Sequence, residues 1–126
     1  MNIIKTFIAN GTITEYALVS VDTAGKVGIT TAGTSVKVVG VAQRAASAGD
    51  VVDVLIFGET RVIAGGTIDP NTEPRLAAVA AGTGKVEAVT SGKYPVCRMI
   101  PNVNQESAVA NDQIVVRFTG PSIIHA

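Results

Sequence analysis

The chain has 126 residues, the length of one ordinary domain, and its ten basic and ten acidic side chains are dispersed without runs, for a formal net charge of zero. That balance excludes the electrostatic footprint of a nucleic-acid or anionic-membrane binder, and a single cysteine, Cys97, excludes an internal disulfide and gives no support for a thiolate metal cluster. Val, Ile and Thr are abundant, thirteen glycines punctuate the chain and Trp is absent, which is the composition of an all-β domain built from many short strands.

Residues 1–10 are expected to form an extended N-terminal arm. Ile3, Ile4, Phe7 and Ile8 put apolar groups on both faces of an extended segment, whereas a solvated tail is polar and a half-buried strand alternates cleanly. Two readings of the arm stay open: an edge strand of its own domain, or a strand docked on a neighbouring chain. Thr6, Asn10, Gly11, Thr12 and Thr14 interrupt any continuous apolar run, so no export signal is expected. Residues 76–81 form the longest wholly apolar run, far too short to cross a bilayer.

Residues 12–22 read as a strand, Thr23, Ala24 and Gly25 as a turn whose glycine can take positive φ, and residues 26–30 as the return strand of a hairpin. Residues 38–42 are a short apolar strand. In residues 48–58, Val52, Val54 and Ile56 alternate on one face, which is the core side. The opposite face carries Asp53 but also Leu55 and Phe57, two apolar residues with no obvious core to enter.

The rest of the chain repeats this unit. Residues 110–120 restate 48–58, with Asp112 answering Asp50, Gly120 answering Gly58, and Ile114, Val116 and Phe118 keeping the core face. Thr67 and Ile68 answer Thr12 and Ile13, Gly84 and Lys85 answer Gly25 and Lys26, and residues 94–97 answer 38–42 more loosely, with Cys97 falling on Ala42. Residues 61–66, ending in Gly65 and Gly66, read as a bending link between the copies. The fold expected is a two-lobed, duplicated short-strand β-barrel or β-tulip-like body, residues 11–126, made of repeats at about 11–64 and 65–123. Only residues 75–81 hold enough helix formers for a helix, and Gly82 stops it early. Pro70 and Pro74 bracket a polar connection, and residues 101–111 read as a polar surface loop.

Little in the chain points to chemistry. His125, the only histidine, lies one residue from the C-terminus, where a catalytic base would lack an orienting partner. Cys97 on a strand reads as a buried thiol acting as a small hydrophobe. Residues 82–85 echo a phosphate-binding loop, but Val79 stands where that motif needs its first glycine and Val86 where it needs Ser or Thr. The carboxylates, Asp50 and Asp112 among them, are dispersed without the spacing of a calcium loop, and those in expected turns read as turn residues and solubilising charges. No cofactor or metal is therefore expected. A hydrolase with carboxylates converging in space stays open as a minor reading. Three Phe, two Tyr and no Trp make a poor sugar-stacking surface, which weighs against the alternative of a carbohydrate-binding or host-adhesion module. Binding to protein is what remains, through Ile3, Ile4, Phe7 and Ile8 of the arm and the outward Leu55 and Phe57.

An apolar arm, a turn over residues 22–27, the Val39-Gly40-Val41-Ala42 strand, a Gly49-Asp50-Val51-Val52-Asp53-Val54 strand ending at Gly58, and a looser second copy together resemble the capsid cement or decoration proteins of tailed bacteriophages. The likeness lies in the order and duplication of these elements; residues 95–98 depart from it. The resemblance implies a non-enzymatic structural protein of the virion, made in the host cytoplasm. It would bind the outer surface of the phage head as a homotrimer and clamp major capsid protein subunits together.

Overall fold

The structure is a computed structural model and describes residues 2–30, 38–68, 76–79, 84–88, 96–100 and 109–119. Nine strands occur among these residues: β1 (Ile3–Ile8), β2 (Leu18–Val21), β3 (Val27–Ile29), β4 (Val38–Ala42), β5 (Val51–Ile63), β6 (Leu76–Val79), β7 (Val86–Ala88), β8 (Cys97–Met99) and β9 (Gln113–Phe118). Their ladders are all antiparallel and no described residue is helical, as the composition requires. The window with the most helix formers supplies β6 instead. A stretch that short cannot repay helix nucleation, and pairing with β7 and β8 satisfies its backbone.

The strands follow one path, β3-β2-β4-β5-β9-β8-β6-β7, with β1 paired to β5 off that path. β5 is thirteen residues long and joins the halves of the sheet. Its first part pairs with β1 and β4, and Gly58 to Ile63 pair with β9. Residues 61–63, expected in a bending link, are therefore strand, with Arg61, Val62 and Ile63 opposite Val115, Ile114 and Gln113. The expected strand over 12–22 is also different. A turn at Glu15 and Tyr16, the latter at φ 63°, splits it into a single bridge at Ile13 and the strand β2.

Order and register recur in the two halves. Phe7 and Ile8 lie opposite Val52 and Val51, as Val62 and Ile63 lie opposite Ile114 and Gln113. The row Leu18-Val41-Leu55 across β2, β4 and β5 matches the row Leu76-Arg98-Arg117 across β6, β8 and β9. Ala9 bridges Val27 in parallel and Ala64 bridges Val86. Asp50 and Asp112 each accept a hydrogen bond at 3.0 Å from the backbone N–H three residues earlier, of Ser47 and Val109. Two expectations change. Residues 1–10 do not stand outside the repeating pattern, because β1 is an edge strand of the same sheet and 58–63 holds the matching place. Cys97 occupies the row position of Gly40, opposite Ala77 as Gly40 is opposite Val19, and Met99 holds that of Ala42.

Two cores result. Ile13, Val19, Val27, Val52 and Val54 fill the first, with Phe7 and Ile56 partly buried against it. Val62, Val86, Met99, Ile114, Val116 and Phe118 fill the second, which also takes in Leu18, Val41 and Leu55 from the first half. Successive side chains of a strand point to opposite faces, so Val19 and Leu18, Ala42 and Val41, and Val54 and Leu55 enter different cores. Leu55 is 1% exposed. Its expected place on an outer surface is overturned because the second half covers that face. Gly40 allows the close approach of β4 to β5, since a Cβ there would collide with the Leu55 carbonyl. Gly58, at φ 126°, lies where the core-facing parity of β5 switches: Leu55 and Val62, on opposite faces by alternation, both enter the second core.

Asp22 fastens the β2–β3 hairpin to the end of β1. Its Oδ1 accepts from the backbone N–H groups of Ala24 and Lys26 at 2.9 Å each, and its Oδ2 accepts from Asn10 Nδ2 at 2.9 Å. The Asn10 hydrogen bond first, and the Lys26 backbone bond next, hold its carboxyl below the usual aspartate range.

Two outcomes follow for folding. Leu55→Ala leaves a cavity between the halves and should cost about 3 kcal/mol in urea unfolding; a loss below about 1 kcal/mol would show that this face is not packed. Asp22 has a depressed folded pKa, so its contribution is present above the unfolded aspartate range and is lost as pH falls through the folded value. Urea unfolding across an acid pH series should therefore show a flatter acid limb for Asp22→Asn than for the wild type.

Candidate protein-binding surface

The β1–β5 ladder carries the apolar residues that the packing leaves outside. Ile3, Ile4 and Ile8 of β1 and Val51 and Phe57 of β5 are exposed, Ile4 at 54% and Phe57 at 42%. Ile3 lies opposite Phe57 and Ile8 opposite Val51, so the strip runs the length of the ladder, roughly 17 Å at strand spacing. Thr6 and Asp53 face each other between its ends, 3.4 Å apart at Thr6 Oγ1 and Asp53 Oδ1. Of the six residues expected at an interface, Ile3, Ile4, Ile8 and Phe57 line this strip. Phe7 instead packs partly buried against the first core, because its partner Val52 faces inward, and Leu55 is enclosed between the halves.

The matching ladder of the second half makes the strip stand out. Glu59, Arg61 and Ile63 hold the places of Ile4, Thr6 and Ile8, and Gln113, Val115 and Arg117 those of Val51, Asp53 and Leu55. Glu59, Arg61, Gln113 and Arg117 are exposed. The same backbone arrangement is thus built with a charged exterior, so the fold itself does not call for apolar residues there. Clustered exposed apolar groups mark contact sites.

Among the described residues β1 is also an edge strand, pairing with β5 alone, and Lys5 is its only charge. Unpaired edges template further pairing unless charges or bulges blunt them. Asn2 pins the start of β1 across the seam: its Nδ2 donates to the Glu59 carbonyl at 3.1 Å and its Oδ1 accepts from the Glu59 N–H at 3.0 Å.

Reactive chemistry is not assembled among the described residues. They contain no group of three or more His, Cys, Asp or Glu placed to hold a metal. Asp50 and Asp112 are both engaged in the same turn bond. Cys97 is buried in the second core, and burial pushes its thiol up to about 12. A shallow depression of about 420 Å³ beside Glu15, Ser47 and Asp50 is open to solvent. His125 and residues 82, 83 and 101–108 lie outside the described residues.

Val51 is the member of the strip that sequence reasoning missed. The signal was present in Ile8-Ala9-Asn10-Gly11-Thr12-Ile13, which matches Ile63-Ala64-Gly65-Gly66-Thr67-Ile68 at constant offset. Extending the repeat back through that match puts β1 and the end of β5 in register and lays Val51 beside Ile8.

No protein-family model matches the chain, and no curated protein matches it. Among solved structures, the N base of head fiber gp8.5 in bacteriophage phi29 is similar, with a TM-score of 0.68 at 15% sequence identity over 99% of this chain and 100% of that one. A likeness at that identity establishes the fold.

The strip and the core predict different mutational costs. Ile4→Ser and Phe57→Ser should each change unfolding free energy by about 0.5 kcal/mol or less, as surface changes do. Phe7→Ala should cost about 2 kcal/mol, since it removes partly buried ring contacts. Equal costs for all three would show that the strip is packed rather than exposed.

Proposed function

We propose that this chain is a structural, non-enzymatic protein of a bacteriophage head, acting as a decoration protein on the outer capsid surface and stabilising contacts between major capsid subunits. The carrying observation is that the likeness to a phage head fiber base spans essentially all of both chains. The apolar strip on β1 and β5 supports a protein partner and supplies the surface that would meet it.

The energetics favour attachment to a lattice over capture of a single subunit. Five half-exposed apolar side chains offer about 5 kcal/mol of further burial in total. Ordering one free protein onto another costs about as much or more. An isolated contact is therefore weak. A trimer that engages several capsid subunits at once raises the effective concentration of each further contact. Binding to the assembled head and not to its separated subunits then stabilises the assembled state by mass action.

Purified chain mixed with phage heads that lack it should sediment with them to a saturating stoichiometry and raise the temperature at which they release DNA. Ile4→Ser/Phe57→Ser should remain folded and lose at least tenfold in affinity. Failure of the wild type to sediment with heads at micromolar concentration would overturn the proposal.

A further inference from the structure

The outer face of the second half carries a row of charge that its sister half does not. Arg117 on β9 lies directly opposite Arg98 on β8 and opposite Glu59 on β5. Side chains so placed share one face, with Cβ atoms about 5 Å apart. Arg61, two residues along from Glu59, lies on the same face and donates to Gln113 Oε1 at 2.7 Å. Arg61, Arg98, Arg117 and Glu59 are all exposed, and neither Arg98 nor Arg117 makes a hydrogen bond or ion pair with a described residue. The chain as a whole is neutral, so this cationic excess is local.

The matched registers show what the face does in the other copy. Val41 and Leu55 hold the places of Arg98 and Arg117, and they are 0% and 1% exposed because that face docks against the second half. One position in the architecture is thus an internal docking face in the first half and an arginine pair open to solvent in the second. A face that needed only solubility could carry any polar pair, as the polar outer faces of stacked repeats do. Like charges placed directly opposite each other destabilise a sheet, so this choice costs stability unless an anion bridges the two guanidinium groups.

We propose that the β8–β9 face is a second docking surface, separate from the apolar strip, and that its occupant is an acidic protein surface whose carboxylates bridge Arg98 and Arg117. Guanidinium forks pair with carboxylates in bidentate geometry. Glu59 in the same row and the absence of net positive charge disfavour a nucleic-acid backbone, which calls for an extended basic stripe. The inference does not depend on the phage-head reading.

The probe is a fluorescently labelled glutamate-rich peptide, titrated with wild type, Arg98→Gln/Arg117→Gln and Lys26→Gln, with a labelled DNA duplex in a parallel arm. Wild type should bind the peptide with an affinity that falls as salt rises, the double variant should lose at least tenfold, and Lys26→Gln should match wild type. Arg98→Glu, which turns the repelling pair into an attracting one, should melt at a higher temperature and bind no peptide. No binding by wild type, equal binding by the double variant, or a melting temperature unchanged in Arg98→Glu would each overturn the proposal. Tighter binding to the duplex than to the peptide would overturn the assignment to protein carboxylates.

Discussion

β5 has to serve two cores at once. It turns Val52 and Val54 into the first core and Leu55 and Val62 into the second, and it pairs with β1 and β4 along its first part and with β9 along the rest. A strand covered on both faces reads as a nearly continuous apolar run, which is how Val51 to Phe57 look once Asp53 is set aside. Gly58 is the point where this double duty becomes possible, because a residue at φ 126° without a Cβ lets the inward parity change without ending the strand. The halves of the sheet are consequently joined by backbone pairing and by shared apolar contact, with no loop between them at that point.

This sharing sets where the two halves had to diverge. The first half spends its Leu18-Val41-Leu55 row on contact with the second, so those positions are aliphatic. In the second half Arg98 and Arg117 occupy the matching row and are exposed. Along the edge ladders the contrast runs the other way: Ile4, Ile8 and Val51 are exposed in the first half, where Glu59 and Gln113 are exposed in the second. Two copies of one arrangement act as controls for each other. What differs between them on solvent-facing positions is not imposed by the backbone.

Residue order sufficed to show that the chain is all-β, that its pattern recurs, where a hairpin glycine falls, and which alternating residues, Val52, Val54, Ile114, Val116 and Phe118, face inward. Strand periodicity, turn chemistry and apolar alternation are local, and a local signal survives without coordinates. Packing was needed to choose the edge-strand reading of the arm over docking on a neighbouring chain, to bury Leu55 and to pack Phe7 against the first core. Each of these depends on which face a distant strand covers. Leu55 and Phe57 share one face by alternation, and nothing in their neighbours along the chain reports that the second half buries the one and leaves the other in solvent.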